Sequence, residues 1–533
     1  MKVDLIRTIQ RISEYISVGR NTTTSGHYEQ ASKAKWSLIV GLNSLLLMVP
    51  IWVVDFPPLT DLPQHVAQIR MLLEALSHPD SSYTIQWLTP YSLAYASIII
   101  GWFIGTPLLA GKIAFSLIVA VNTIVLHWFV RRQNGSVNSV VLSSVCLYSS
   151  VLYWGFIQFY FGFSIFLVWL QILFNPPQKK WKELVLICMW PLFLYFTHIL
   201  WCAVACFVLL IHDIGMRYRI RQIAVRWSML IPMLVLVSIW YPQLMGSTFD
   251  SPTSWQSTPW ARLLQFWEWP DLFLGGLRGS WETCIFCFML AWIFFGSIRM
   301  GKGLFRTPVF YVGILLLLLS VLLPSRYQNT ILFHKRWAPF ALIMILVSLG
   351  EPFLRESAKR LKAIFVWAVL VIHVFLTAAA WMAWEAKEMD GVGEVFHAIP
   401  QNARVVGLSY IARSEFLKNY PFIQTFAYAQ VASGGELNFS FADFRISLVV
   451  YTQSRFQVNP NMKPGAPPYV RWQSGLEWYP ERFSAHDARF FDYIIVHADD
   501  EVQTKFRRVP MWSYMNGGRN WALYKIRKFD STD

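Results

Sequence analysis

Four ionisable side chains follow directly on the first long apolar run of the chain, Ser37–Val54. They are Asp55, Asp61, His65 and Arg70. Charged groups at the mouth of a membrane span are costly unless they serve a purpose, so this stretch is the first candidate for a functional site. A carboxylate there could take a proton from a substrate, while an imidazole or a guanidinium could bind an anion.

Asp61 admits two interpretations. It opens Asp61–Leu76, where apolar residues recur at helical spacing and predict a helix lying in the outer membrane interface. With Pro63 in the first turn, Asp61 could serve only as the N-cap of that helix. The alternative is a catalytic carboxylate, which the nearby Asp55 and His65 favour.

The neighbouring side chains also keep alternatives. His65 could bind phosphate or a metal ion, or orient Asp61, and an interfacial polar residue explains it equally well. Arg70 could bind substrate, although contact with lipid headgroups is the stronger explanation. Asp55 is either a second acid or the end of the span.

Further ionisable groups lie between later apolar runs. The loop Pro324–Arg336 carries four cationic residues, Arg326, His334, Lys335 and Arg336. Cationic residues are disfavoured in loops on the outer side of the membrane. Binding of a lipid-linked phosphate or pyrophosphate would explain them here, and snorkelling of the side chains to lipid headgroups is the alternative. His198 is a lone histidine among apolar residues, and is either structural or a ligand for substrate.

The composition is that of a polytopic membrane protein. The 533 residues are 55% hydrophobic and only 14% charged, whereas a soluble domain has about 25% charged residues. The net charge of +15 lies in short loops between apolar runs, while 385–533 has 17 Lys and Arg against 16 Asp and Glu. Membrane topology and anionic lipid explain that distribution, so we expect no nucleic-acid partner.

Eleven apolar runs are predicted to span the membrane. They are 37–54, 112–130, 138–154, 157–175, 183–197, 199–213, 227–242, 283–298, 307–323, 337–350 and 363–384. Basic clusters follow alternate runs, which predicts a cytoplasmic N-terminus. This orientation holds only if Tyr91–Leu109 is a re-entrant or interfacial segment, or part of one long bent helix.

The expected organisation has three parts. Residues 1–35 form a cytoplasmic segment, 36–384 an all-α multi-span domain with a first external loop at 55–90, and 385–533 a soluble extracytoplasmic α/β domain. A helix is predicted at Gly391–Ile399 and a loop at Asn459–Pro468. The predicted strands are Ala403–Ser409, Ile446–Thr452, Tyr493–His497 and Trp521–Ile526.

The predicted external loop Tyr241–Glu282 is rich in tryptophan. It contains Trp255, Trp260, Trp267, Trp269 and Trp281. An aromatic belt at the membrane interface is the default explanation, but flat aromatic faces also stack on sugar rings.

Four short motifs resemble a group of bacterial membrane proteins within the GT-C class of glycosyltransferases. They are DLPQH at Asp61–His65, WGFIQFYFGF at Trp154–Phe163, FDYIIVHAD at Phe491–Asp499 and NWALYKI at Asn520–Ile526. The resemblance implies a polyprenyl-phosphate sugar donor and transfer on the outer face of the membrane. Many members have adjacent acids or Asp-x-Asp, whereas this chain has Asp61 with a distant Asp55, which leaves a divalent metal ion optional.

We therefore expect an inverting glycosyltransferase of the bacterial inner membrane, with Asp61 as general base and the cations of Pro324–Arg336 around the leaving phosphate. Its acceptor would be a glycan, lipid or protein. A transporter or flippase of a lipid-linked or polar substrate is the alternative, and a non-catalytic assembly component is a third. The sequence has no Walker A, GxGxxG, HExxH or GxSxG motif.

Overall fold

The computed structural model describes residues 33–245, 253–327, 330–350, 358–452, 478–483, 488 and 490–527. Most of the predicted cytoplasmic segment 1–35 and the whole loop Asn459–Pro468 lie outside the described residues.

Helices dominate the chain up to Glu388. They are α1 (Lys33–Trp52), α2 (Leu62–Ser77), α3 (Tyr95–Ile104), α4 (Pro107–Arg132), α5 (Val137–Ser144), α6 (Ser150–Tyr153), α7 (Ile157–Phe174), α8 (Lys180–Thr197), α9 (Ile199–Gly215), α10 (Ile220–Ser228), α11 (Ile231–Met245), α12 (Pro259–Leu264), α13 (Trp269–Phe273), α14 (Trp281–Met300), α15 (Pro308–Leu322), α16 (Ala338–Ser348) and α17 (Ala358–Glu388). Each predicted apolar run overlaps at least one of these helices. In lipid, the backbone N–H and C=O groups have no water to bind and must pair within a helix.

The number of spans is not confirmed by helix length. Within the described residues, α1, α4, α7, α14 and α17 are long and apolar enough to cross a bilayer, and α10 with α11 adds a sixth span if this pair, bent by 53°, counts as one. The other apolar runs form shorter or less apolar helices. Among them, α16 is buried along its whole length and lies at the centre of the bundle.

The run Tyr91–Leu109 contains only the ten-residue helix α3. Such a helix is about 15 Å long, half of the hydrocarbon thickness. It folds back on α4 so closely that a Cβ on Gly101 would lie 2.5 Å from the carbonyl oxygen of Ala110. This geometry favours the re-entrant or interfacial interpretation.

The predicted span 138–154 is broken into α5, a 3-10 turn and α6. The hydroxyls of Ser143 and Ser144 donate to carbonyl oxygens three residues earlier, which competes with regular helix formation. Ser149 is extended, with φ −115° and ψ 172°. The break brings Tyr153 and Trp154 to the end of the bundle where α2 begins.

Helix α2 is not the interfacial helix that its apolar pattern predicted. All but one of its residues from Leu62 to Leu72 are buried. Leu62 and Val66 pack on Gly111 of α4, where a Cβ would lie 3.1 Å from Val66 Cγ2. The polar side chains Gln64 and Gln68 of its opposite face are covered by the C-terminal part of the chain, so α2 is enclosed on both faces from Leu62 to Leu72.

The C-terminal part contains most of the strands. The strands are β1 (Tyr83–Ile85), β2 (Arg326–Tyr327), β3 (Thr330–Ile331), β4 (Val405–Ser409), β5 (Val449–Tyr451), β6 (Tyr493–His497), β7 (Trp512–Gly517) and β8 (Trp521–Ile526). The helices of this part are α18 (Val392–His397), α19 (Ala427–Ser433), α20 (Tyr479–Arg482) and α21 (Asp500–Arg507). One mixed sheet has the order β4-β6-β8-β7, with β4 and β6 parallel and the other pairs antiparallel.

The segment between β4 and β6 packs on the helical bundle. Strand β5 pairs with β1 in a separate two-stranded sheet and does not join the four-stranded sheet. Leu417, Phe422 and Phe426 belong to the same hydrophobic core as α2 and α16. The predicted domain 385–533 therefore contains a sheet of its own but is fused to the bundle through residues 410–452.

Candidate active site

A short turn before α2 holds Asp61 against the loop that precedes α7. Thr60 N donates to Tyr153 O at 2.9 Å, and Asp61 N donates to Trp154 O at 3.1 Å. Gly155 has φ +76°, and a Cβ there would lie 2.7 Å from Asp61 N. Only glycine fits that position without displacing the turn, because it lacks the Cβ and tolerates positive φ.

The carboxylate of Asp61 is not used as a helix cap. Asp61 immediately precedes α2, but its side chain accepts no hydrogen bond from the first turn. Capping therefore does not explain the residue. Burial raises the pKa of Asp61 from 3.8 to about 7, and the positive charge of Arg336 limits the rise. A carboxylate with such a pKa is poised to exchange a proton near neutral pH.

Arg336 brings a buried positive charge to the same end of the bundle. Its Nε and Nη2 donate to the carbonyl oxygen of Ile331 at 3.2 and 3.1 Å. The guanidinium lies 3.7 Å from the ring centre of Phe156. Burial lowers the pKa of Arg336 to about 10, and the charges of Tyr91 and Asp61 oppose that shift. The side chain therefore remains a cation at physiological pH.

His65 is a buried, neutral side chain that contacts Tyr95 and Gln158. Its Nδ1 lies 3.1 Å from both the Tyr95 hydroxyl and Gln158 Nε2. Burial lowers the pKa of His65 to about 3, against a hydrogen bond to the Gly155 backbone. A neutral imidazole lacks the positive charge that favours a phosphate, and the side-chain contacts of His65 are with Tyr95, Gln158 and the Gly155 backbone.

His198 is a structural cap that also faces the site. Its Nδ1 accepts from Leu200 N at 3.2 Å at the start of α9. Its ring meets Tyr91 edge-on at 4.9 Å and Phe159 at 5.0 Å. Burial, followed by the charge of Arg336, lowers the pKa of His198 well below its ordinary value.

An open cleft of about 510 Å³ adjoins the Asp61 turn. Its lining residues are Trp154, Ser254, Gln256, Ser325, Arg326, Ile331, Leu332, Ala412, Arg413 and Tyr420. The rings of Trp154 and Tyr420 lie 5.8 Å apart. No carboxylate occurs among these described lining residues, so the two arginines give the cleft a positive wall suited to an anionic group beside a flat sugar ring.

The other cations of the loop Pro324–Arg336 lie in different surroundings. Arg326 lines the cleft, whereas His334 is buried and its pKa is lowered to about 3. Lys335 is half-buried, and burial lowers its pKa, while the carboxylates of Asp271 and Glu268 oppose that shift. Thus, of the cations in this loop, Arg326 lines the cleft and Arg336 acts electrostatically on Asp61, while His334 is neutral.

Asp55 and Arg70 are not part of this group. Asp55 is exposed, and its backbone N donates to Glu385 Oε1 at 2.7 Å. Arg70 lies beside the C-terminal part, where a Cβ on Gly434 would be 3.4 Å from its Nη2. The prediction of a second acid beside Asp61 therefore finds no support in the geometry, because Asp55 is turned to the junction with α17.

The tryptophans of 241–282 do not line the cleft either. Trp255, Trp260 and Trp267 are 48%, 75% and 64% exposed. The aromatic rings at the cleft come from Trp154 and Tyr420 instead.

The described side chains around Asp61 do not by themselves form a complete site for a divalent metal ion. Among the described residues, no three His, Cys, Asp or Glu side chains come together as ligands. Asp61 is a single carboxylate, and His65 and His198 use Nδ1 in hydrogen bonds. This donor set is too small for a Mg²⁺ or Ca²⁺ site built by the protein.

Several residues of the site were not identified from the sequence. Tyr91, Phe156 and Gly155 had no polar pattern to mark them, although Gly155 and Phe156 lie in the quoted motif Trp154–Phe163. Arg413 lies in the C-terminal part, and no local signal placed it beside the first loop.

Comparison with known proteins gives a fold but no family model. No family model matches the sequence, and no curated protein matches it either. The arabinofuranosyltransferase AftD from Mycobacteria shares the architecture with a TM-score of 0.50 and 13% identity, over 94% of this chain and 40% of AftD. ArnT from Cupriavidus metallidurans, solved with bound undecaprenyl phosphate, has a TM-score of 0.50 and 11% identity, over 94% of this chain and 99% of ArnT.

Both neighbours are GT-C glycosyltransferases. The chain spans less than half the length of AftD and nearly all of ArnT. The apolar helices and the fold shared with these neighbours indicate that the chain is a multi-pass membrane protein. The chain therefore has the fold of the GT-C membrane glycosyltransferases.

Proposed function

We propose that the protein transfers a sugar from a polyprenyl-phosphate donor to an acceptor hydroxyl on the outer face of the membrane. The observation that carries the proposal is the placement of Asp61, whose side chain is free of capping bonds, within electrostatic reach of the buried cation Arg336. The bound undecaprenyl phosphate in ArnT supports a lipid phosphate as the leaving group.

Asp61 serves as the general base of this reaction. The acceptor hydroxyl loses its proton to the carboxylate while its oxygen forms a bond to the anomeric carbon. The bond from that carbon to the phosphate oxygen breaks, and the electron pair leaves with the phosphate. Displacement from the opposite face in one step inverts the anomeric centre.

Arg336 and Arg326 stabilise the departing phosphate. Arg336 is charged, buried and preorganised by Ile331, so little reorganisation is needed as negative charge develops. Arg326 lies in the adjoining cleft, where Trp154 and Tyr420 offer flat faces to the sugar. A phosphate ester is already a good leaving group, and no nucleotide is required outside the cell.

The ends of several helices support the proposed location. Asp61 follows α1, Arg336 precedes α16, and His198 separates α8 from α9. These positions lie at one end of the bundle, and the distribution of basic loops in the sequence predicts that this end faces outwards.

The base assignment is tested with matched carboxylate variants. The purified protein is reconstituted in liposomes with a radiolabelled polyprenyl-phosphate sugar and a mixture of envelope acceptors. Asp61→Asn is expected to lower kcat at least 1000-fold, on the scale of losing a general base together with its charge. Asp55→Asn removes a carboxylate from the same loop and should retain transfer. Full activity of Asp61→Asn would overturn the assignment.

A further inference from the structure

One stretch of the C-terminal part, Ser414–Gln424, crosses directly over the Asp61 turn; we call it the strap. Its backbone forms a bridge with the loop before α14, where Lys418 N donates to Gly276 O at 3.0 Å. Lys418 Nζ also lies 2.5 Å from Asp271 Oδ1 and 2.9 Å from Glu282 Oε2. The strap is therefore anchored on both its backbone and its side chains.

Asn419 is the residue of the strap that reaches the turn. Its Nδ2 donates to Tyr153 O at 2.7 Å and to Thr60 Oγ1 at 3.1 Å, and lies 3.4 Å from Pro58 O. The side chain is 4% exposed, and its Oδ1 has no hydrogen-bond partner in the described residues. Burying an amide whose oxygen has no hydrogen-bond partner costs free energy. We therefore infer that the three contacts of Asn419 Nδ2 are the reason for the residue at this position.

Two of the residues that Asn419 contacts are adjacent in sequence to Asp61 and to Trp154 of the cleft. Thr60 and Tyr153 are the neighbours of Asp61 and Trp154, and the two backbone bonds between the pairs fix the direction of the turn. Thr60 Oγ1 also lies 3.3 Å from the carbonyl oxygen of Tyr420, again on the strap. Asn419 thus closes a small network that joins the C-terminal part, the first loop and the α6–α7 loop.

We propose that Asn419 is a positioning residue for Asp61, through which the C-terminal part completes the active site. This inference rests on the proposed function of Asp61. Asn419 does not touch substrate; it holds the Thr60–Asp61 turn against Tyr153, and thereby keeps the carboxylate near Arg336. The C-terminal part then acts on the rate of transfer and not only on the binding of partners.

The substitution Asn419→Asp tests the inference with almost no change in volume. It replaces the donating amide nitrogen by an acceptor that faces three oxygens, so the turn should be pushed away. Hydrogen exchange of the peptide 57–66, followed by mass spectrometry on the full-length protein, should be at least tenfold faster. Exchange of the sheet peptide 490–498 reports whether the C-terminal part remains folded.

The activity readout distinguishes positioning from general stability. We expect kcat to fall at least tenfold in Asn419→Asp, with KM for the donor changed less than twofold. Asn419→Gln keeps the donating amide and should recover part of kcat. Asn402→Asp makes the same chemical change at an exposed site of the C-terminal part and serves as the control.

Two results would overturn the inference. One is unchanged exchange of 57–66 in Asn419→Asp, and the other is faster exchange with normal kcat. If the wild-type protein transfers no sugar at all, the proposed function of Asp61 fails, and the exchange experiment still decides whether Asn419 holds the turn. Should Asn419→Asp fail to fold, the same two readouts on Asn419→Ala, which removes the donating amide without adding a charge, decide the question.

Discussion

The partly buried carboxylate of Asp61 should make the protein less stable as the pH rises. Its pKa is raised from 3.8 to about 7 by burial, with Arg336 as the opposing charge. Because the folded pKa lies above the unfolded one, the contribution of this group to stability is complete below pH 4. It is lost progressively as the pH rises through 7. Asp61→Asn cannot ionise and should lack this loss.

The size of the effect follows from the shift. One pKa unit corresponds to about 1.4 kcal/mol, so the whole shift is worth about 4 kcal/mol. Linkage over the accessible window gives about 2.5 kcal/mol between pH 5 and pH 8. The free energy of unfolding of wild type, compared with that of Asp61→Asn, should therefore fall by about 2.5 kcal/mol as the pH rises from 5 to 8.

This prediction needs no knowledge of the substrate. Unfolding of the detergent-purified protein is followed at several pH values, with wild type, Asp61→Asn and Asp55→Asn side by side. Asp55→Asn controls for removing one carboxylate from the first loop. A stability difference between wild type and Asp61→Asn that does not change with pH, or that changes in the opposite direction, would refute the burial argument.

Three further predictions concern the same site and its orientation. Arg336→Gln should lower kcat about 100-fold, because it removes the buried cation that we propose stabilises the leaving phosphate, and Arg336→Lys should recover only part of the rate. Arg336→Gln should also move the rise of kcat/KM to higher pH, since Arg336 lowers the pKa of Asp61. Gly155→Ala should abolish transfer or folding, because its Cβ would lie 2.7 Å from Asp61 N. Gly393→Ala is the control and should be tolerated, since no atom lies within 4 Å of the added Cβ; transfer and thermal unfolding are measured for both variants. Glu501→Cys places a thiol on an exposed side chain of a region without native cysteine; an impermeant maleimide should label it in intact cells, and protection until lysis would contradict the orientation.

Local sequence pattern predicted the elements better than their partners. The strands Tyr493–His497 and Trp521–Ile526 are confirmed with the predicted ends, because β-branched and aromatic residues make up most of the first strand and half of the second. Strand β7 was missed since it is an edge strand with an exposed middle and no clear alternation. The predicted strand Ile446–Thr452 shortens to Val449–Tyr451 and pairs with the first loop, which no local signal could reveal.

The site was only partly predictable for the same reason. Charge in an unfavourable place marked Asp61 and Arg336, because such residues are expensive and therefore informative. It also marked Asp55 and Arg70, which the fold turns towards Glu385 and the C-terminal part. Asn419 carries no charge and lies in no motif. The contacts on which its proposed role rests form only when residues far apart in sequence meet in the folded chain.

The most direct test of the proposed function follows the donor itself. A polyprenyl-phosphate sugar, labelled separately in the lipid and in the sugar, is placed in the outer leaflet of liposomes that contain the purified protein. We predict that wild type releases polyprenyl phosphate as the sugar reaches an acceptor, and that Asp61→Asn leaves the donor intact. Recovery of intact donor in the inner leaflet, with no polyprenyl phosphate formed, would contradict a transferase and identify a flippase.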